Sequence, residues 1–141
     1  RSTLFPYTTL FRSLFMTLVD DLLELISEKP DLAKPLAGAD DYLRAEIVYA
    51  ASHEGARHLN DVLARRTRIS IETWDRGVGV AQEAADLLAP VLGWSKKQRD
   101  REIEYYRKRV EAERASQTQE DDQEADAHRR GAPDIVPTTA P

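Results

Sequence analysis

Tyr42–Glu72 reads YLRAEIVYAASHEGARHLNDVLARRTRISIE, and it carries charges where a surface helix would have apolar groups. As a helix from Leu43, it places Leu43, Ile47, Ala50 and Ala51 on one face at the 3.6-residue period. Glu54 falls on that same face, about 20° from Leu43 at roughly 100° per residue. Beyond Gly55 a second face runs through Leu59, Val62 and Leu63, and the same arithmetic puts Arg66 on it. A carboxylate and a guanidinium aimed at a core are costly unless each meets a partner. A planar guanidinium with five donors suits such an internal tie. The expectation is therefore a Glu54–Arg66 contact inside a bundle, with Asp61 as another acid in reach and Arg65 and Arg68 nearer the surface.

Outward from this stretch, helical periodicity dominates. Phe15, Val19, Leu22 and Ile26 form a stripe over a first helix, Thr17 to Glu28, with Thr17 and Asp20 resembling a capping box. Pro30, Pro35 and Gly38 mark a loop. Asp40 or Asp41 would cap a second helix, Tyr42 to His53, and a third runs from Ala56 to Arg66 with an Asp61–Arg65 pair at i, i+4. Ile69 and Ile71 alternate with polar neighbours as a short extended link. The fourth helix, Trp74 to Leu92, is apolar over a wide arc through Trp74, Val78, Ala81, Ala85, Leu88 and Leu92, as expected at a bundle centre. Gly93 closes it, and Ser95 with Gln98 caps a fifth helix, Lys96 to about Arg114, whose Ile103, Tyr106 and Val110 face inward. From Ser116 to Pro141 polar residues, Ala and Pro prevail, so this tail reads as disordered. The fold class is all-α: about five helices in a bundle-like domain (14–115) with a disordered acidic, Pro-containing tail (116–141).

Residues 1–13, RSTLFPYTTLFRS, have no helical or strand period. Back-translated, Leu4–Ser13 resembles a common DNA sequencing adapter, and Pro6, Tyr7, Thr8 and Thr9 interrupt any signal-peptide core. The segment is read as a non-native scar. Overall the chain has 20 basic and 25 acidic residues, a net charge of −5. That sign argues against a general nucleic-acid binder. The absence of cysteine rules out disulfides, thiolate metal sites and a thiol nucleophile. No apolar run approaches a membrane span of roughly 20 residues.

Three constellations invite functional readings. His53-Glu54 followed by His58 suggests a zinc-protease helix, but Arg57 holds the i+4 position and His58 comes one residue late. Gly77-Val78-Gly79 begins like a dinucleotide-binding turn, yet Gln82 stands where the third glycine belongs. These glycines read instead as allowing a close helix crossing. Arg65, Arg66 and Arg68 could grip a phosphate or enter a DNA groove, but Asp61 and Glu72 flank them. Lys96, Lys97, Arg99 and Arg101 against Asp100, Glu102 and Glu104 read as a solvated helix face. No nucleophile–base pair, metal cluster or phosphate loop is apparent. No catalytic, cofactor-binding or metal residue is assigned, and two classes stay open on residues alone: a helical interaction module and a DNA-binding module.

His53-Glu54, Asp61-Val62-Leu63 and Arg65-Arg66-Thr67 together resemble the C-terminal helical domain of FAD-dependent glycerol-3-phosphate dehydrogenases and the related glycerophosphate oxidases. The resemblance runs from about Leu18 to about Arg114 and is densest between Glu46 and Arg68. It implies a piece of a longer flavoenzyme that oxidises sn-glycerol 3-phosphate to dihydroxyacetone phosphate. Dehydrogenase members pass electrons to quinone and oxidase members to oxygen; overall similarity favours the dehydrogenase branch. It further implies that FAD binds in the complete enzyme only, on a domain upstream, which is the expected partner. Glu54, Asp61, Arg65, Arg66 and Thr67 match the family pattern as structural residues, holding the helices and seating this domain on the flavin domain. The implied location is cytoplasmic, with the full-length enzyme peripheral on the cytoplasmic membrane.

Overall fold

The helical periods of the sequence become six α-helices in a computed structural model of the chain, which describes residues 6–118 and 122–132. Helix α1 spans Pro6–Glu28. It starts eleven residues before Thr17, so the stretch from Pro6 to Ser13, read as lacking a helical period, forms its first turns, and Thr17 is inside the helix instead of capping it. A 3-10 turn at Pro30–Ala33 follows, with Pro30 in its first position.

The loop expected around Pro35 and Gly38 is a small antiparallel hairpin. Strand β1, Pro35–Leu36, pairs with β2, Ala39–Leu43, and Leu36 lies opposite Ala39. Ala37 and Gly38 are the two turn residues, and Gly38 has φ +92°, a conformation only glycine enters freely. Asp40 and Asp41 are thus strand residues. Helix α2, Arg44–Ser52, is entered from Leu43, whose N–H donates to Glu46 Oε1 at 2.8 Å. Arg44 holds the hairpin down. Its Nε donates to Glu83 Oε1 at 2.6 Å, a second nitrogen pairs with Asp31, and Glu83 Oε2 accepts from Ala37 N at 3.0 Å.

The third helical segment begins at Leu59 and continues as a π-helix over Asp61–Arg66. Ile69–Glu72, expected to be extended, is a single helical turn, α3. Helix α4 is shorter than its apolar pattern: it covers Ala81–Leu92, and residues 73–80 are turns. Trp74, placed on the α4 stripe by periodicity, is 97% exposed. Gly93 closes α4 with φ +67°, and Ser95 Oγ accepts from Gln98 N at 3.2 Å to start α5, Lys96–Gln117.

The main core collects Leu36, Ile47, Leu59, Val62, Leu63, Ile69, Leu88, Ile103 and Tyr106 from β1, α2, the helical segment 59–66, α3, α4 and α5. A smaller cluster of Leu32, Ala45 and Val48 receives Leu22, Leu25 and Ile26 of α1. Each fully buried Leu or Ile contributes about 1.5–3 kcal/mol. The tail departs from the expected disorder at Asp122–Arg130, which forms α6 and packs on α5. Ala125 is buried there, and small Ala112 and Ala115 on α5 allow the approach. Residues 1–5, 119–121 and 133–141 lie outside the described part.

Candidate functional site

The segment His53–Thr67 is a junction of helix ends in space. Helix α2 ends at Ser52, and Gly55 turns the chain with φ +71°. Ala56 N–H reaches back to Ala50 O at 3.0 Å. His53 stacks on Tyr49, ring centroids 4.6 Å apart, with its Nδ1 2.7 Å from Ser52 Oγ. Glu54 is exposed at this corner.

The next helix begins with donors that have no partner of their own. Asp61 Oδ2 accepts from Arg57 N at 3.2 Å and from His58 N at 3.1 Å. Leu59 N–H donates to Glu102 Oε2 at 3.0 Å, from α5, 43 residues further along. The other oxygen of Glu102 lies 2.9 Å from His58 Nδ1 and accepts from Gln98 Nε2 at 3.3 Å. Glu102 is 3% exposed. A buried carboxylate with three donors, one of them a helix-start amide, is the partnered arrangement that makes such burial tolerable. The far end is closed by Thr67, itself buried: its N–H and Oγ1 both donate to Val62 O, at 2.9 and 2.8 Å.

This geometry corrects the expected Glu54–Arg66 lock. Both side chains are exposed, and no ion pair joins them. Two physical reasons account for it. Helix α2 ends at Ser52, so Glu54 lies past the last residue that keeps the helical phase. Arg66 ends a π-helix, whose i→i+5 bonding takes more residues per turn and rotates later side chains off the α-helical prediction. The acid that does point inward is Glu102, which the sequence reading left on a solvated face. Its signal was there in Gln98, Glu102, Tyr106 and Val110, all buried and spaced by four.

The other motif residues lie nearer the surface. Arg65 pairs with Asp61 at 3.5 Å and Arg68 with Glu72 at 3.4 Å, so acids offset much of this basic cluster. Tyr42 Oη donates to Glu72 at 2.6 Å and accepts from Arg68 N at 3.2 Å, tying β2 to α3. Burial, then the bond to Glu72, raises the Tyr42 phenol above its ordinary value.

Gly77 and Gly79 belong to a tight turn and not to a helix crossing. Arg76 and Gly77 both have positive φ, +56° and +79°. A Cβ on Gly77 would come within 3.0 Å of Ile69 Cγ2. The Asp75 carboxylate fills the turn, accepting from Gly77 N at 3.0 Å and Gly79 N at 2.6 Å. Tyr106 Oη donates to Arg76 O at 2.6 Å, and Arg76 pairs with Glu113 at 3.1 Å. Burial pushes the Tyr106 phenol well above the usual tyrosine range. The turn does not fit the pyrophosphate of a flavin: its amides already serve Asp75, and that carboxylate would repel a phosphate. Among the described residues no group of three or more His, Asp or Glu is placed to hold a metal ion, and no helix is long and apolar enough to cross a membrane.

The profile of the C-terminal domain of alpha-glycerophosphate oxidase matches residues 16–99. The chain belongs to that family. The glycerol-3-phosphate dehydrogenase of Mycobacterium leprae is 52% identical over 117 residues, 83% of this chain and 20% of that protein. Glycerol-3-phosphate dehydrogenase 2 of Mycobacterium tuberculosis is 50% identical over 118 residues, and a Synechocystis glycerol-3-phosphate dehydrogenase is 30% identical over 91, or 64% of this chain. This glycerophosphate oxidase-type domain thus spans about a fifth of the length of its mycobacterial relatives. No solved structure matches it.

Proposed function

We propose that this chain serves as the C-terminal helical cap of an FAD-dependent glycerol-3-phosphate dehydrogenase, and that its own residues carry no step of the reaction. The supporting observation is the 52% identity to the mycobacterial dehydrogenase over 117 residues. The complete enzyme oxidises sn-glycerol 3-phosphate to dihydroxyacetone phosphate and delivers electrons to quinone, in the cytoplasm or at the face of the cytoplasmic membrane. Its flavin belongs to the remaining part of the enzyme, in keeping with an Asp75 turn that suits a carboxylate and not a phosphate. Within the cap, Asp61 and Thr67 finish the two ends of the π-helix segment, while Glu54, Arg65 and Arg66 stay exposed for the flavin-bearing part.

The test has two arms. The purified 141-residue protein, mixed with FAD and sn-glycerol 3-phosphate, is expected to stay colourless after desalting and to reduce no dye acceptor. The Mycobacterium leprae enzyme carrying this chain in place of its matched segment is expected to keep its flavin and its turnover. A yellow, substrate-oxidising 141-residue protein, or a folded chimera without activity, overturns the reading.

A further inference from the structure

Among the described residues, the most exposed large apolar side chain sits on a turn held by several hydrogen bonds. Trp74 is 97% exposed and Ile71, on α3, 71% exposed. Truly mobile loops seldom combine such exposure with so many backbone ties. Thr73 N and Oγ1 both donate to Ile69 O, at 3.0 and 2.7 Å. Arg114 Nη2 donates to Trp74 O at 3.1 Å, and Arg76 N to Thr73 O at 3.0 Å. Asp75 and Tyr106 fix the residues that follow. An indole held in the open on a rigid backbone loses little freedom when it is covered, and tryptophan is a leading anchor at interfaces. Beside it opens a cleft of about 600 Å³ lined by Asn60, Ser70, Trp74, Arg76, Tyr106 and Glu113.

We propose that Trp74 and Ile71 are the anchor by which this cap seats on the flavin-bearing part of the same enzyme, an inference that rests on the function proposed above. One observation selects that occupant. The chain spans only 20% of its dehydrogenase relatives, so most of each relative lies outside the matched region. The charges around the anchor are matched within the chain: Arg68 pairs with Glu72, Arg76 and Arg109 pair with Glu113, and Asp75 serves the amides of its own turn. The matching surface is therefore an apolar socket for the indole and Ile71.

Hydroxyl-radical footprinting read by mass spectrometry compares Trp74 in the 141-residue protein with Trp74 in the Mycobacterium leprae chimera. Labelling of Trp74 is expected to fall at least about fivefold in the chimera, as for an anchor shielded from water. In the chimera Trp74→Ala is expected to speed proteolytic separation of the cap, whereas Trp74→Phe restores resistance; circular dichroism of the 141-residue Trp74→Ala protein checks that the fold survives. An active, flavin-loaded chimera whose Trp74 is labelled as in the free protein overturns this surface and leaves the function standing. A chimera without flavin or turnover overturns the function, and the surface falls with it. Trp74 protection that grows with concentration of the 141-residue protein alone assigns the face to a second copy and also overturns the proposal.

Discussion

Glu102 and Asp75 both cap backbone amides, and they do so in opposite ways. Glu102 reaches from α5 into the core and takes Leu59 N–H across 43 residues, together with His58 and Gln98. Asp75 takes the amides of Gly77 and Gly79, two and four residues along, at the surface. The long-range cap joins two helices, so its loss opens tertiary structure. The local cap only shapes a turn, and that turn displays Trp74. One acid makes the fold, and the other makes a surface.

The largest effect that would sharpen this contrast is expected at Glu102. Glu102→Ala leaves the buried Leu59 N–H and Gln98 amide, and the half-buried His58 ring, without their acceptor, and should lower unfolding free energy by about 3 kcal/mol in urea melts. Gly77→Ala comes next, at about 2 kcal/mol by the same assay, because an L-residue at φ +79° is strained and its Cβ meets Ile69. A Gly77→Ala protein as stable as the wild type would mean that the turn relaxes freely and that Trp74 is not held.

Tyr106→Phe removes the bond to Arg76 O and should cost about 1 kcal/mol at neutral pH. It also has a pH signature. The folded phenol keeps its proton more tightly than the unfolded one, since burial raises its pKa. Its contribution is therefore complete below the unfolded value of about 10 and declines as pH rises beyond it. Wild-type stability should fall above that pH, and Tyr106→Phe should flatten the decline in alkaline urea melts. The smallest effect belongs to the pair first expected to lock the bundle. Glu54→Ala and Arg66→Ala, alone or together, should each stay within about 0.5 kcal/mol of wild type, as exposed substitutions do. A coupling clearly larger than that in the double-mutant cycle would restore the internal tie.

Much of the architecture was legible because it depends on local signals. Ser95 with Gln98, Gly93, and the apolar steps through Ala81, Ala85 and Leu88 all gave the elements they suggest. The misreadings have one physical root: helical phase was carried past points where the helix changes or stops. Helix α2 stops at Ser52 before Glu54 is reached, the π-helix shifts the phase before Arg66, and the Arg76–Gly77 turn removes Trp74 from α4. Leu36 and Ala39 formed a hairpin because Gly38 admits the turn and Glu83 supplies a tether from far along the chain, which no local pattern announces. Glu102 was hidden for a similar reason. A charge on a charged helix reads as solvated until the helix start that needs it is seen in space.

The most direct test is amide hydrogen exchange at Leu59. In the wild-type protein this amide should be among the slowly exchanging ones, should lose that protection in Glu102→Ala, and should keep it in Glu54→Ala. Fast exchange at Leu59 in the wild type, or protection that survives without Glu102 and vanishes without Glu54, would contradict the account.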